Sequence, residues 1–356
     1  LRRTKSEVDY LNEKEVMNEH DMQTTVQALV AAGKGLLAAD ESTPTITRRF
    51  EAIHLPSTAE HRRAYREMLF TTPGLSDFIS GVILFDETIR QHTEDGTPFP
   101  ELLRREGMIP GIKVDQGTKP LANFGDEKVT EGLDGLRERL AEYHELGALF
   151  SKWRAVIKIT DVTPTRAGLW TNGHALARFA ALSQEAGLVP IVEPEVLMDG
   201  YQDLNRCEKV TEAVLKIVFH HLSEHRVILE RMLLKPNMVL PGEDCPTPAT
   251  PLEVAEATLL CLRRSVPTAV PGIVFLSGGQ SDVLATTHLN MMNQIDSAPW
   301  QLSFSFGRAL QAPALTGWAG KSVMAGQTAL RHRARCNSAA RYGRYSEEME
   351  TQAMAA

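Results

Sequence analysis

The chain of 356 residues is 43% hydrophobic and 23% charged, the composition of a globular protein with a substantial core. Its formal charge of -7 argues against a general nucleic-acid binder, while leaving room for a local basic cleft. No apolar run approaches the ~20 residues of a membrane-spanning helix, and the charged opening "LRRTKSEVDYLNEKEVMNEHDM" has no secretory apolar region. Cys207, Cys245, Cys261 and Cys336 lie far apart without a C-x-x-C pair and read as reduced thiols, so a cytoplasmic protein without membrane insertion is expected.

Eight short apolar runs follow in chain order: "GLLAAD" (35–40), "ISGVILF" (79–85), "IPGIKVD" (109–115), "KWRAVIKI" (152–159), "LVPIVEPE" (188–195), "RMLLKPN" (231–237), "GIVFLSGG" (272–279) and "WQLSFSFG" (300–307). Their density of Val, Ile, Leu and Phe suits parallel strands covered on both faces. Amphipathic segments lie between them. In "DLNRCEKVTEAVLKIVFHHL" the residues Leu204, Cys207, Val210, Val214, Ile217, Val218 and Leu222 recur at helical spacing. In "TPLEVAEATLLCLRRSV" Thr250 is placed as an N-cap with Pro251 at the first helical position. Strands alternating with helices predict an α/β fold, a single-domain (β/α)8 TIM barrel over residues 1–340, with an open doubly wound sheet as the alternative. Residues 341–356 read as a polar, flexible tail.

A barrel gathers its chemistry at the C-terminal ends of its strands. Those ends supply Asp40, Lys113, Glu193, Glu195, Lys235, the "SGG" at 277–279, and Arg308; Lys152 and Arg154 lie two apart in the fourth run. In "LLKPNMV", Lys235 has no acidic residue within four positions. A lysine at a strand end ordinarily reaches into water; the other reading is a desolvated amine that attacks carbonyls. "KWR" and "EPE" each set two ionisable side chains on one strand face, where a helix-covered barrel turns them inward. Paired carboxylates also separate their pKa values, one route to a proton shuttle. "FLSGGQS" followed by "SFGRAL" forms either an anion site of glycine amides and Arg308 or a plain tight turn. "AAGKGLL" lacks the first glycine of a phosphate loop. His221 and His225 in "HHLSEH" read as a solvated helix face rather than a zinc site, and no other metal-like grouping stands out.

"GKGLLAADEST", "ISGVILFDET", "PGIKVD", "KWR", "LVPIVEPE", "LLKPNMV", "FLSGGQS" and "LSFSFGRALQ", spread from about residue 30 to about residue 320, closely resemble the class I, Schiff-base fructose-1,6-bisphosphate aldolases. The resemblance implies a (β/α)8 barrel, a homotetramer, and reversible cleavage of fructose 1,6-bisphosphate to dihydroxyacetone phosphate and glyceraldehyde 3-phosphate, with no cofactor and no metal. It assigns Lys235 as the Schiff-base lysine and Lys152 as the neighbouring cation that eases loss of its proton. Glu193 becomes the acid/base carboxylate, Glu195 its neighbour in the same network, and Asp40 the aspartate near the C4 hydroxyl. Ser277, Gly278, Gly279, Ser305 and Arg308 fall at the C1-phosphate, and Ser42, Thr45, Arg49 and Lys113 at or near the C6-phosphate end. Arg62 and Arg154 match further basic substrate-region positions.

Three departures stand out: the chain ends in "METQAMAA" rather than a tyrosine, Arg231 occupies a position where relatives carry a small residue, and Phe306 replaces a tyrosine. Another Schiff-base barrel aldolase, such as a transaldolase, is the second enzymatic reading. The family also implies a scaffold role, holding actin and acidic adhesin tails through Arg48, Arg49, Lys113, Lys152 and Arg308. Preference between fructose 1,6-bisphosphate and fructose 1-phosphate is not readable from the sequence.

Overall fold

A computed structural model describes residues 21–295 and 298–351. Eight parallel strands close into a barrel: β1 (Gly35–Ala39), β2 (Ile79–Leu84), β3 (Ile109–Lys113), β4 (Phe150–Ile157), β5 (Val189–Val196), β6 (Leu233–Leu234), β7 (Gly272–Phe275) and β8 (Gln301–Phe306). They are hydrogen-bonded in chain order, and β8 closes on β1 through Leu36 opposite Ser305. Each expected run overlaps one strand, with β4 starting two residues before its run and β5 ending one residue after its own, and the closed ring excludes the open-sheet alternative. A two-stranded ribbon, Thr118–Pro120 with Lys128–Thr130, stands outside the ring. β6 is short because Pro236 has no N–H to donate, yet the Lys235 amide still donates to Val192 O at 2.8 Å. Arg231 ends a single 3-10 turn ahead of that strand, half-buried.

Alternation along the strands sorts the core into two bodies. Outward residues such as Trp153, stacked on Phe179 of the Arg166–Glu185 helix at 5.8 Å, fill the layer between strands and helices. Inward residues near the strand starts form a separate apolar cluster: Leu36, Ile83, Phe150, Val189, Ile191, Leu233 and Val274, with Met22, Val26 and Leu29 of the leading helix packed beneath. A Cβ on Gly111 would lie 2.3 Å from the Phe150 ring and one on Gly81 3.1 Å from it, so these two strands leave the space that the ring fills. Two residues further along the same inward faces the side chains change to Lys113, Lys152 and Glu193, and to Lys235 on β6. The barrel therefore has an apolar floor and an ionised top.

Helix starts follow the sequence signals. Thr250 and Glu253 form a reciprocal capping box on Pro251–Ser265, and Asp203 caps Leu204–Glu224 by accepting from the Arg206 amide. Two surface expectations are corrected. His221 is not on a solvated face: it is buried edge-on against Trp170 at 4.8 Å, in a notch where a Cβ on Gly173 would lie 2.9 Å from its ring. The flexible tail does not begin at 341. Arg341 is buried and donates to Leu302 O at 3.2 Å, and Tyr345 packs in the core while its hydroxyl donates to Glu350 at 2.7 Å. Residues 352–356 of that tail lie outside the described residues. Phe306, in place of a tyrosine, is fully buried 5.6 Å from the Phe304 ring, an apolar setting that suits the loss of the hydroxyl.

Burial also fixes one pH response. His288 is 2% exposed, donates from Nδ1 to Gln280 Oε1 at 2.6 Å, and burial lowers its pKa from 6.5 to about 4. Between those values the unfolded chain holds the extra proton, so stability falls as pH drops through that window. His288→Asn keeps the donor but cannot titrate. Its denaturation midpoint should change less between pH 7 and pH 5 than the parent's; an unchanged slope would exclude His288 as the source.

Candidate active site

The ionised top opens into a cleft of about 960 Å³. Eight basic side chains line it against six acidic ones, a local positive excess in a chain of net charge -7. Strands β4 and β5 set its centre by register, with Arg154 opposite Glu193 and Val156 opposite Glu195. Lys152 Nζ lies 2.7 Å from Asp40 Oδ2 and 3.0 Å from Glu193 Oε2. Lys235 Nζ lies 3.2 Å from Glu193 Oε1. Lys152, Glu193 and Lys235 are each 3% exposed, so these charges are withdrawn from water and held by one another.

Charge directions follow from that arrangement. Burial opposes the Lys152 ammonium, but the carboxylates of Asp40, Glu193 and Asp115 outweigh it and hold its pKa well above the ordinary lysine value. Burial likewise opposes the Asp40 carboxylate and is outweighed by Lys152, Lys235 and Lys113; Glu193 is held down against burial by Lys152, Lys235 and Arg154. Lys152 stays charged and both carboxylates stay ionised across the neutral range. The two lysines do not meet as bare cations, because Glu193 stands between them.

Around this centre Lys113 pairs with Asp115 at 2.6 Å, and Arg154 pairs with Glu195. Ser277, Gly278 and Gly279 follow β7, with the two glycines at φ of 55° and 92°, which L side chains rarely adopt. Arg308 opens the Arg308–Trp318 helix beside them; a Cβ on Gly279 would lie 3.4 Å from its guanidinium. Among the described residues Arg308 has no acidic partner, and the Ser305 hydroxyl, 1% exposed, has no hydrogen-bond partner. Glycine amides, a helix start, an unpaired guanidinium and a free hydroxyl make this side of the cleft suited to an anion.

The cleft thus brings together Asp40, Ser42, Thr45, Arg49, Lys113, Lys152, Arg154, Glu193, Glu195, Lys235, Ser277, Gly278, Gly279, Ser305 and Arg308. Arg62 is the exception. It does not line the cleft but forms a two-pronged pair with Glu87, at 2.8 Å for each contact, and donates to Ser57 O at 2.7 Å. Sequence reasoning missed Glu41 and Asp115, each within two residues of an expected position, and the support behind Glu41. Glu41 pairs with Arg49 and with Arg66 Nη2 at 2.5 Å, and accepts from Gln311 Nε2 at 2.7 Å. Gln311 also donates to Ala38 O at 2.7 Å, tying this carboxylate to the end of β1.

The family model for class-I fructose-bisphosphate aldolase matches residues 21–356. The chain belongs to that family. It is 57% identical to a probable fructose-bisphosphate aldolase class 1 of Xylella fastidiosa over 85% of this chain and 90% of that one. It is 52% identical to fructose-bisphosphate aldolase B of Gallus gallus over 90% of this chain and 89% of that one. A solved aldolase of Plasmodium falciparum, in complex with TRAP and a small-molecule inhibitor, superposes with a TM-score of 0.91 at 49% identity, covering 92% of this chain and 96% of that one. The enzyme is accordingly a glycolytic carbon–carbon lyase acting on a sugar phosphate, on a TIM barrel.

The support around Glu41 can be tested apart from turnover. Arg66 is 3% exposed, and Arg66→Met removes one partner of a buried ion pair. The aldolase should lose about 3–5 kcal/mol of stability, the cost typical of breaking such a pair, measured by denaturant unfolding; a change below about 1 kcal/mol, the level of an exposed pair, would mean that Arg49 and Gln311 suffice.

Proposed function

We propose that the enzyme cleaves fructose 1,6-bisphosphate reversibly through an imine on Lys235. The observation that carries this reading is the Lys235 amine, 3% exposed, at the floor of the ionised layer with Glu193 Oε1 3.2 Å away. The neutral amine attacks the C2 ketone, the Glu193 carboxylate takes the proton that the nitrogen sheds, and it passes that proton to the carbinolamine hydroxyl, which leaves as water. The resulting iminium draws electrons from the C3–C4 bond as Asp40 takes the C4 hydroxyl proton, releasing glyceraldehyde 3-phosphate and leaving an enamine. Protonation at C3 and hydrolysis of the imine release dihydroxyacetone phosphate and restore Lys235.

Lys152 acts here as a fixed cation that orients Asp40 and Glu193 on its two sides. The Ser277–Gly279 turn, Ser305 and Arg308 receive the C1 phosphate; Ser42, Thr45, Arg49 and Lys113 face the C6 end, and Arg154 and Glu195 close the wall between. Arg62 supports the rim through Glu87 rather than touching substrate. A homotetramer in the cytoplasm completes this reading, in keeping with the family resemblance, and sedimentation tests the assembly.

A second role, holding actin or an acidic segment of another protein in the same cleft, is supported by the complex of the Plasmodium relative with TRAP and by unpaired Arg308 with exposed Arg48. Binding of an acidic peptide that fructose 1,6-bisphosphate does not displace would place it elsewhere.

Borohydride added during turnover of fructose 1,6-bisphosphate should leave a covalent three-carbon phosphate adduct on Lys235, located by peptide mass mapping. An adduct on any other lysine, or none, rejects the mechanism. Glu193→Gln should lower kcat by about 10²–10⁴ with little change in KM, the range for a lost proton-transfer group. Arg308→Met should instead raise KM for the bisphosphate by about 10- to 100-fold, the loss of a charge-assisted phosphate contact; an unchanged KM would remove Arg308 from the phosphate site.

A further inference from the structure

Outside the cleft lining, the Val323–Arg341 helix carries His332 and Cys336 one turn apart on a single face, and the short Glu348–Thr351 helix brings Glu350 against them. Cys336 Sγ lies 3.6 Å from His332 Nε2, and His332 Nε2 lies 3.3 Å from Glu350 Oε2, with all three atoms within 4.8 Å of one another. Bonds of about 2.0–2.1 Å to nitrogen and oxygen and about 2.3 Å to sulfur place neighbouring ligand atoms of a tetrahedral zinc site about 3.3–3.6 Å apart. The two contacts have the edge lengths of such a tetrahedron.

The surroundings suit it as well. Tyr345 donates to Glu350 Oε1 at 2.7 Å, the hydrogen bond that commonly orients a ligating carboxylate. Arg333 also holds Glu350, but its guanidinium has a second carboxylate, Asp282 Oδ2, at 3.7 Å from Nε, and a bond to Thr286 Oγ1 at 2.6 Å. Two carboxylates thus share one guanidinium, and Arg335 points to solvent. A Cys336 thiolate, a Glu350 carboxylate and a divalent cation sum to zero charge, leaving Arg333 matched by Asp282. His332 and Glu350 are both partly exposed, so a water can take the fourth position.

We propose that His332, Cys336 and Glu350 form a structural site for zinc, or a similar borderline divalent cation, that staples the Glu348–Thr351 helix to the Val323–Arg341 helix. Binding replaces the Cys336 S–H bond by a sulfur–metal bond and releases that proton to solvent. The site lies outside the cleft and is independent of the imine chemistry.

The test uses the full chain, stripped with chelator and titrated with Zn²⁺ and, separately, Co²⁺. One zinc per chain should bind, and Co²⁺ should give a thiolate-to-metal charge-transfer band that is absent in Cys336→Ser and retained in Cys245→Ser, the one cysteine that is not buried. Glu350→Gln and His332→Gln should each weaken zinc at least about tenfold, and aldol cleavage by Cys336→Ser reports that the variant is folded. Absence of stoichiometric zinc in the parent, or a band unchanged by Cys336→Ser, overturns the proposal.

Discussion

A lysine ammonium can be buried only if carboxylates replace the water it gives up, and that constraint organises the upper half of this barrel. Asp40, Lys152, Glu193 and Lys235 form one alternating line of charge, drawn from within β4 and β5 and from just past the ends of β1 and β6. No member can be removed without leaving another charge buried and unmatched. The same line sets two amines and two carboxylates within contact distance of one another, so packing alone fixes the geometry of these residues.

The apolar floor beneath performs the complementary task. Phe150, seated over Gly81 and Gly111, and the Leu36, Ile191 and Leu233 side chains around it exclude water from below the ionised layer. In that surrounding, ion pairs are strong and an unpaired charge is expensive. Strand alternation produces both layers from one pattern. Phe150, Lys152 and Arg154 are successive inward residues of β4, and Val189, Ile191, Glu193 and Glu195 of β5.

Much of this was legible in the chain, and the rest failed for identifiable reasons. Charged residues inside otherwise apolar runs could only face a lined interior, which is why "KWR" and "EPE" were readable as a site. The partner of Lys235 was not visible near it, since Glu193 lies on the preceding strand, 42 positions earlier in the numbering. Motif matching placed Arg62 with the substrate-region cations, but a motif carries position and not direction, and Glu87 turns that side chain away. His221 looked solvated because helical spacing cannot register that Gly173, on another helix, leaves a notch for an imidazole. The segment from 341 looked loose because its polar composition hides Arg341 spanning carbonyls of the strand starts and Tyr345 inserted in the core. The grouping of His332 and Cys336 with Glu350 likewise needed a turn of chain that spacing alone does not show.

The filled base of the barrel decides what kind of molecule can be handled at all. A blind-ended well cannot thread a polymer, so both ends of the reacting molecule must fit inside one opening of about 960 Å³. Entry and departure share that opening. A fragment lying at the bottom can leave only after the piece above it has gone, so the architecture orders departure before any loop moves.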